Sequence, residues 1–239
     1  MNASPTLIDI QSKTNPRFLE LKKLAQDNIA SRKLGKIWLE GDHLCRAAIT
    51  RGLQPSTMVV NALGLSKLRE FGLPTAPTTL LLADKLWQEL SSLPSPASVA
   101  YLIDLPLNPE INPLAATVVL DRLQDPGNVG SILRSAAAFG FGQVLALKGT
   151  AALWSPKVLR AGMGAHFGLQ LIEGLELEDL QALAVPLLVT SSHEGAYLHQ
   201  QKLPSPCAWV MGHEGQGVGE PLMARASAHV RIIQPGGEE

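Results

Sequence analysis

The tightest constraint on this chain lies between Thr117 and Leu147. Thr117-Val-Val-Leu120 is a short unbroken apolar run, and Val144-Leu-Ala-Leu147 is a second. Between them Pro126 and Gly127 make a tight turn, and Val129 to Phe139 carries apolar residues at helical spacing, with Gly140 at the C′ position. Two buried strands joined by a helix form a βαβ unit, and such a crossover makes the strands parallel. Runs at Pro186-Leu-Leu-Val-Thr190, Ala208-Trp-Val-Met211 and His229-Val-Arg-Ile-Ile233 extend it into a mostly parallel sheet.

The chain divides near Leu105-Pro-Leu-Asn-Pro-Glu-Ile-Asn-Pro113, whose three prolines resist helix and central strand and read as a linker. The expected organisation is an N-terminal domain over 1–105, a linker over 106–115 and a second domain over 116–239. Upstream of the linker, helical spacing runs from Pro16 to Ile29, and Lys36-Ile-Trp-Leu-Glu40 reads as a strand. Asp42 is expected to cap a helix to Arg51. Strands at 57–61, 75–82 and 98–103 alternate with helices at 65–71 and 84–90. That alternation predicts a small α/β domain.

Of the 239 residues, 46% are hydrophobic and 17% charged, which excludes a disordered chain. No apolar run is long enough to span a bilayer, and the first residues lack the apolar core of a signal peptide, so a cytoplasmic protein is expected. Cys45 and Cys207 have no zinc or redox spacing and read as buried free thiols. The net charge of −1 gives no global pull toward nucleic acid, so any RNA contact must come from local basic clusters.

Three loops fall at the carboxyl ends of expected parallel strands, where ligands gather in such sheets. In Asp121–Gly130, Asn128 stands near a helix start and Arg134 lies less than two turns further on. Together they make either an anion site or a simple cap with a surface arginine. In Gly212-His-Glu-Gly-Gln-Gly-Val-Gly219, alternate glycines permit close backbone approach to a ligand, or simply make a flexible connector. No Gly-Lys-Ser/Thr follows, and Glu220 breaks the strict dinucleotide fingerprint, which argues against a nucleotide-binding oxidoreductase. The third loop, Gln234-Pro-Gly-Gly-Glu-Glu239, closes the chain. Between these loops, Lys157 and Arg160 share one side of a helix beginning near Pro156.

In this order, the segments resemble the SpoU (TrmH-like, SPOUT superfamily) RNA methyltransferases. Asn128, Gly130 and Arg134 match the family's first motif. Gly212-His-Glu-Gly-Gln-Gly217 after an apolar strand matches the second, and Ile232-Ile-Gln-Pro-Gly236 the third, with Ile233 where the family generally has proline. Arg160-Ala-Gly-Met-Gly-Ala-His-Phe167 resembles an intervening family stretch. Asn15-Pro-Arg-Phe18 and Trp38-Leu-Glu-Gly-Asp-His-Leu44 resemble its N-terminal substrate-binding domain.

The resemblance implies a small α/β RNA-binding domain followed by an α/β-knot methyltransferase domain. It also implies a homodimer that moves a methyl group from S-adenosylmethionine to a ribose 2′-hydroxyl of RNA, with rRNA favoured over tRNA and no metal. Asn128, Arg134 and Glu214 would be catalytic, with Arg134 as base or phosphate clamp and Glu214 holding the dimer-interface geometry. Thr190, Met211, Gly212, Gly215, Gly217, Ile232 and Gln234 would hold the cofactor. Arg17, Lys22, Lys23, Arg32, Lys33, Lys157 and Arg160 would meet RNA, although a solvated helix face also explains the basic N-terminal cluster. The family continues past the paired glycines with a Ser-Leu-Asn segment and a helix, so about twenty further residues are expected beyond Glu239, the length of a loop and one helix. A knot left incomplete there would make the rival reading a non-catalytic RNA-binding protein on the same scaffold.

Overall fold

The computed structural model describes residues 6–106 and 109–236. Leu107 and Asn108 of the expected linker, and the last three residues of the closing loop, lie outside the described residues. The chain divides into two compact units, Met1–Leu107 with Trp154–Phe167, and Asn108–Leu153 with Gly168–Glu239.

The first unit contains β1 (Thr6–Ile10), α1 (Pro16–Gln26), α2 (Ala30–Leu34), β2 (Lys36–Glu40), α3 (Asp42–Thr50), β3 (Thr57–Val60), α4 (Ala62–Phe71), β4 (Thr78–Leu82), α5 (Asp84–Leu90) and β5 (Val99–Asp104). Its five strands lie in the order β1-β4-β3-β5-β2. β1 and β3 run parallel to β4, while β5 is antiparallel to both β3 and β2. Strand β1 escapes periodicity because Thr6-Leu-Ile-Asp-Ile10 sits at the edge, largely exposed, and carries only a weak burial pattern. Asn15 caps α1 by accepting the Arg17 N–H at 2.9 Å, and Pro16 occupies the first turn. The helix ends at Gln26, short of the expected Ile29, because Asp27 turns extended and its side chain accepts the Ile29 N–H. Asp42 is the first residue of α3 rather than its cap. It faces Arg46 one turn on, and Gly41 holds the cap position. Phe18, Leu21 and Leu24 of α1 pack with Trp38, Leu80, Leu82 and Trp87 as the core.

The second unit opens with β6 (Thr117–Leu120), α6 (Pro126–Ala138) and β7 (Gln143–Leu147). The chain then makes an excursion through Trp154–Phe167, grouped with the first unit, which carries α7 (Pro156–Gly162). Strands β8 (Gln170–Leu175), β9 (Leu187–Thr190), β10 (Ala196–Tyr197) and β11 (Ala208–Met211) follow, then α8 (Glu220–Arg225) and β12 (Ala228–Arg231). The seven strands lie in the order β10-β12-β9-β11-β6-β7-β8, and every neighbouring pair is parallel. Strands β8 and β10 were not legible in the sequence. The glycine at 174 and the two-residue length of β10 conceal the signal.

Val119, Leu145, Ile172, Val189 and Val210 from five adjacent strands form the centre of this core. Gln143 is fully buried and satisfied. Its amide donates to the Asn112 carbonyl and to Thr117 Oγ1, each at 2.8 Å, and its oxygen accepts the Asn112 N–H at 3.1 Å. The downstream end of the proline-rich segment is therefore clamped to the sheet. Both cysteines are buried and unpaired, and burial pushes both thiols up, as expected of inert core residues. Among the described residues no helix is long and apolar enough to cross a membrane.

Candidate active site

Strands β12, β9, β11 and β6 are neighbours and parallel, so their carboxyl ends release four loops side by side. The loop after β6 turns into α6, and its helix start differs from the sequence reading. Asp125, not Asn128, caps α6 by accepting the Asn128 N–H at 2.8 Å, and Pro126 fills the first helical position. Asn128 therefore sits within the first turn with its side chain free for other work.

That work is toward Glu214. The Asn128 amide donates to Glu214 Oε1 at 3.2 Å, and the same carboxylate accepts the N–H groups of Gln124 at 3.3 Å and Asp125 at 3.2 Å. Partial desolvation pushes the Glu214 carboxyl up. Hydrogen bonds from its own backbone, from Asn128 and from the Asp125 and Gln124 N–H groups outweigh that and hold its pKa at about 2. Glu214 is thus an anion bound by the β6–α6 loop of its own chain. Arg134 projects from α6, exposed, and makes no hydrogen bond or ion pair among the described residues.

The glycine-rich loop after β11 is built rather than slack. His213 and Gly217 exchange backbone hydrogen bonds at 3.0 and 2.8 Å. His213 Nδ1 accepts the N–H groups of Gly215 and Gln216 at 3.0 and 3.2 Å, so its ring proton sits on Nε2. Gly212 has no room for a side chain, since a Cβ there would lie 2.3 Å from the Gly217 carbonyl carbon and the Val218 nitrogen. Gly217 adopts a φ of 67°, which favours glycine.

Beside this loop lies a cleft of about 590 Å³, in the size range of small-molecule sites. Of the seven residues expected to hold a cofactor, Thr190, Gly212, Gly215, Gly217, Ile232 and Gln234 line it. Met211 does not; its sulfur lies 4.0 Å from Thr190 Oγ1, which donates to the Val210 carbonyl. Sequence reasoning missed a further part of the wall, the loop after β9 from Ser191 to Glu194, along with Met223 and Val230. Arg231 holds that wall through the Gly195 and His193 carbonyls, and His229 through Glu194. Nothing in the motif spacing announces these contacts.

The seven basic residues expected to meet RNA all fall in the first unit, Lys157 and Arg160 because of the Trp154–Phe167 excursion. Lys22 pairs with Glu89, which Lys13 shares, and Arg160 donates to Ser92 Oγ at 3.1 Å. Lys23, Arg32, Lys33 and Lys157 are exposed, and Arg17 lines a small hollow with Glu20 and Lys36. Among the described residues no group of side chains has the make-up of a metal site.

A parallel α/β sheet with a small-molecule cleft at its carboxyl edge, bounded by a glycine-rich loop and a capped helix start, defines the ligand-binding class of this unit. The model of the SpoU rRNA Methylase family matches residues 115–239, and the chain belongs to that family. It is 31% identical over 236 residues to the Danio rerio protein "rRNA methyltransferase 3B, mitochondrial", covering 87% of this chain and 51% of the relative. It is 24% identical to the Bacillus subtilis 23S rRNA (guanosine(2553)-2'-O)-methyltransferase RlmP, covering 93% of this chain and 89% of that protein. A solved RNA 2'-O ribose methyltransferase superposes with a TM-score of 0.77 at 26% identity, covering 97% of this chain and 92% of the other. The chain spans 37% to 51% of the length of the vertebrate mitochondrial relatives it matches.

Proposed function

We propose that this chain transfers the methyl group of S-adenosylmethionine to a ribose 2′-hydroxyl of RNA, and that ribosomal RNA is the substrate class. The observation that carries this reading is the joining of the first-motif and second-motif loops through Asn128 and Glu214, directly beside the cleft. The cleft's lining suits the cofactor: Met223 and Ile232 offer apolar surface to an adenine, and Thr190, Glu194, Gln234 and backbone groups offer polar partners. The names of the relatives, which include a 23S rRNA 2'-O-methyltransferase, support the substrate class.

When bound, S-adenosylmethionine would supply an electrophilic methyl carbon, its sulfonium leaving as a neutral thioether while the 2′-hydroxyl proton passes to solvent. The protein's part is alignment and charge. Arg134 serves as a clamp for an RNA phosphate and steadies negative charge growing on the 2′-oxygen. Glu214 fixes the loop that leads into α6 and, through the Asn128 amide, the first turn of the helix that carries Arg134. The basic residues Arg17, Lys22, Lys23, Arg32, Lys33, Lys157 and Arg160 supply phosphate contacts in the first unit. In this reading the first unit binds RNA, the second closes as an α/β knot, and the chain works as a cytoplasmic homodimer.

The test is methyl transfer from labelled S-adenosylmethionine to rRNA. Alkali-resistant dinucleotides are the expected product, because a 2′-O-methyl group blocks cleavage at the adjacent phosphate. Absence of transfer by protein that binds both S-adenosylmethionine and rRNA would overturn the catalytic reading and favour a non-catalytic RNA-binding role. Light scattering in solution checks the dimer.

A further inference from the structure

Asp121 immediately follows β6, and neither its charge nor its burial is used by the motifs. It is 4% exposed. Its Oδ2 accepts the Gly219 N–H at 2.8 Å across a separation of 98 residues. Arg122 forks onto the same carboxylate, Nε to Oδ1 at 2.9 Å and Nη2 to Oδ2 at 3.1 Å, and extends Nη1 to Gln216 Oε1 at 3.4 Å. Arg122 holds this geometry with φ at 60°, a left-handed conformation that a non-glycine residue adopts at a cost. A Cβ added at Gly219 would lie 3.1 Å from Arg122 Nη2, and one at Gly149 would lie 3.2 Å from Arg122 Cγ, so both glycines leave room for the partly exposed Arg122 side chain.

Glu214 makes the opposite connection, from the glycine-rich loop back to N–H groups of the β6–α6 loop. The two loops are therefore joined by two carboxylates pointing in opposite directions, one near each end of the glycine-rich loop whose residues Gly212 to Val218 line the cleft. Carboxylates accepting backbone N–H groups make strong, directional bonds, and a buried one cannot lose its partners without leaving an unpaired charge.

We infer that Asp121, buttressed by Arg122, is a positioning residue that sets the cleft wall formed by Gly212–Val218 for cofactor binding. The inference rests on the proposed S-adenosylmethionine site. It requires no contact between Asp121 and the reacting atoms.

The experiment measures S-adenosylmethionine affinity by calorimetry, kcat and KM for methyl transfer, and amide hydrogen exchange, on the full chain and three variants. Asp121→Ala should weaken S-adenosylmethionine binding by roughly ten- to hundredfold, the loss expected for a charged hydrogen bond with a buried partner. It should also speed exchange at Gly217 to Gly219, while kcat at saturating cofactor stays within about threefold, since Asn128, Arg134 and Glu214 are untouched. Asp121→Asn keeps an oxygen for the Gly219 N–H and should recover most of the affinity. Arg122→Ala should fall between Asp121→Asn and Asp121→Ala.

Wild-type affinity in folded Asp121→Ala overturns the inference, and so does a lost kcat with affinity unchanged. Should Asp121→Ala fail to fold, Asp121→Asn and Arg122→Ala decide, and wild-type affinity and exchange in both overturn it. If the wild-type protein binds no S-adenosylmethionine, the functional reading fails. The Asp121–Gly219 link is then judged by exchange alone, with unchanged protection at Gly219 in Asp121→Ala counting against it.

Discussion

The first unit mixes parallel and antiparallel strand pairs, whereas every neighbouring pair in the second is parallel. In the mixed sheet, successive connections leave from both ends of the strands. In the parallel sheet all strands release their loops along one edge, which brings residues distant in sequence to a common cleft. The hollows differ accordingly, about 210 Å³ in the first unit and about 590 Å³ in the second. The use of charge differs too. In the first unit Glu89 and Glu20 neutralise Lys13, Lys22 and Lys36 in partly exposed pairs of the kind that add little stability. In the second, Asp121 and Glu214 bind backbone N–H groups, and Arg134 keeps its charge available. A solvent-facing cation with no partner among the described residues is open to a ligand; a paired lysine is less so.

Arg134→Ala is the sharpest way to break that contrast. Methyl transfer should fall about 10²- to 10³-fold in kcat, the scale of losing one transition-state charge partner. Thermal stability should hold to within about 0.5 kcal/mol, because the side chain is exposed and unpaired. Near-normal turnover would remove Arg134 from the mechanism, and a large loss of stability would show a structural role instead.

Gly212→Ala should rank next. The new Cβ meets the backbone of Gly217 and Val218 at 2.3 Å, so the loop must shift. Overpacking of this kind costs about 1–3 kcal/mol, and cofactor affinity measured by calorimetry should drop about tenfold or more. The same substitution at Gly140, exposed at the end of α6 with nothing near its Cβ position but at a φ of 80° that strains an alanine, should cost stability and leave cofactor affinity unchanged.

A smaller effect is expected from acid. The Glu214 pKa is lowered from 4.5 to about 2 in the folded chain. Its stabilising contribution is thus complete above 4.5 and is lost as pH falls toward 2. Denaturation of wild type and Glu214→Gln across that window should show a stability difference that is constant at higher pH and shrinks as the carboxylate protonates. A difference that does not vary with pH would mean that the ionised form is not what binds the β6–α6 loop.

The smallest change should come from the first unit. Lys33→Ala removes an exposed cation and should lower RNA affinity less than tenfold, reducing the slope of log affinity against log salt by about 0.7–0.9. Lys22→Ala, already paired with Glu89, should do less. Equal effects would erase the distinction between paired and free cations.

Much of the fold was legible from local pattern. The runs at Lys36–Glu40, Thr117–Leu120 and Ala208–Met211 are strands with the bounds their residues suggest. Edge strands β1 and β10 were not, because an exposed or two-residue strand carries no burial period. The site divides along the same line. Asn128, Arg134, Glu214 and the glycines announce themselves by spacing, while Asp121 and the Ser191–Glu194 wall do not, because what matters about them is what they touch.

The sequence by itself determined the βαβ unit, the parallel sheet, the positions of the loops at strand ends and the family to which they belong. Periodicity and turn chemistry act within a dozen residues, and those features need no more than that. Only the tertiary structure decided that Asp125 rather than Asn128 caps α6 and that Glu214 spends its charge on N–H groups 89 and 90 residues away. It also decided that Asp121 answers from the other side, and that the excursion bearing Lys157 and Arg160 groups with the first unit. Hydrogen bonds between loops form only after strand order has set which loops are neighbours, and that order is a property of the folded sheet.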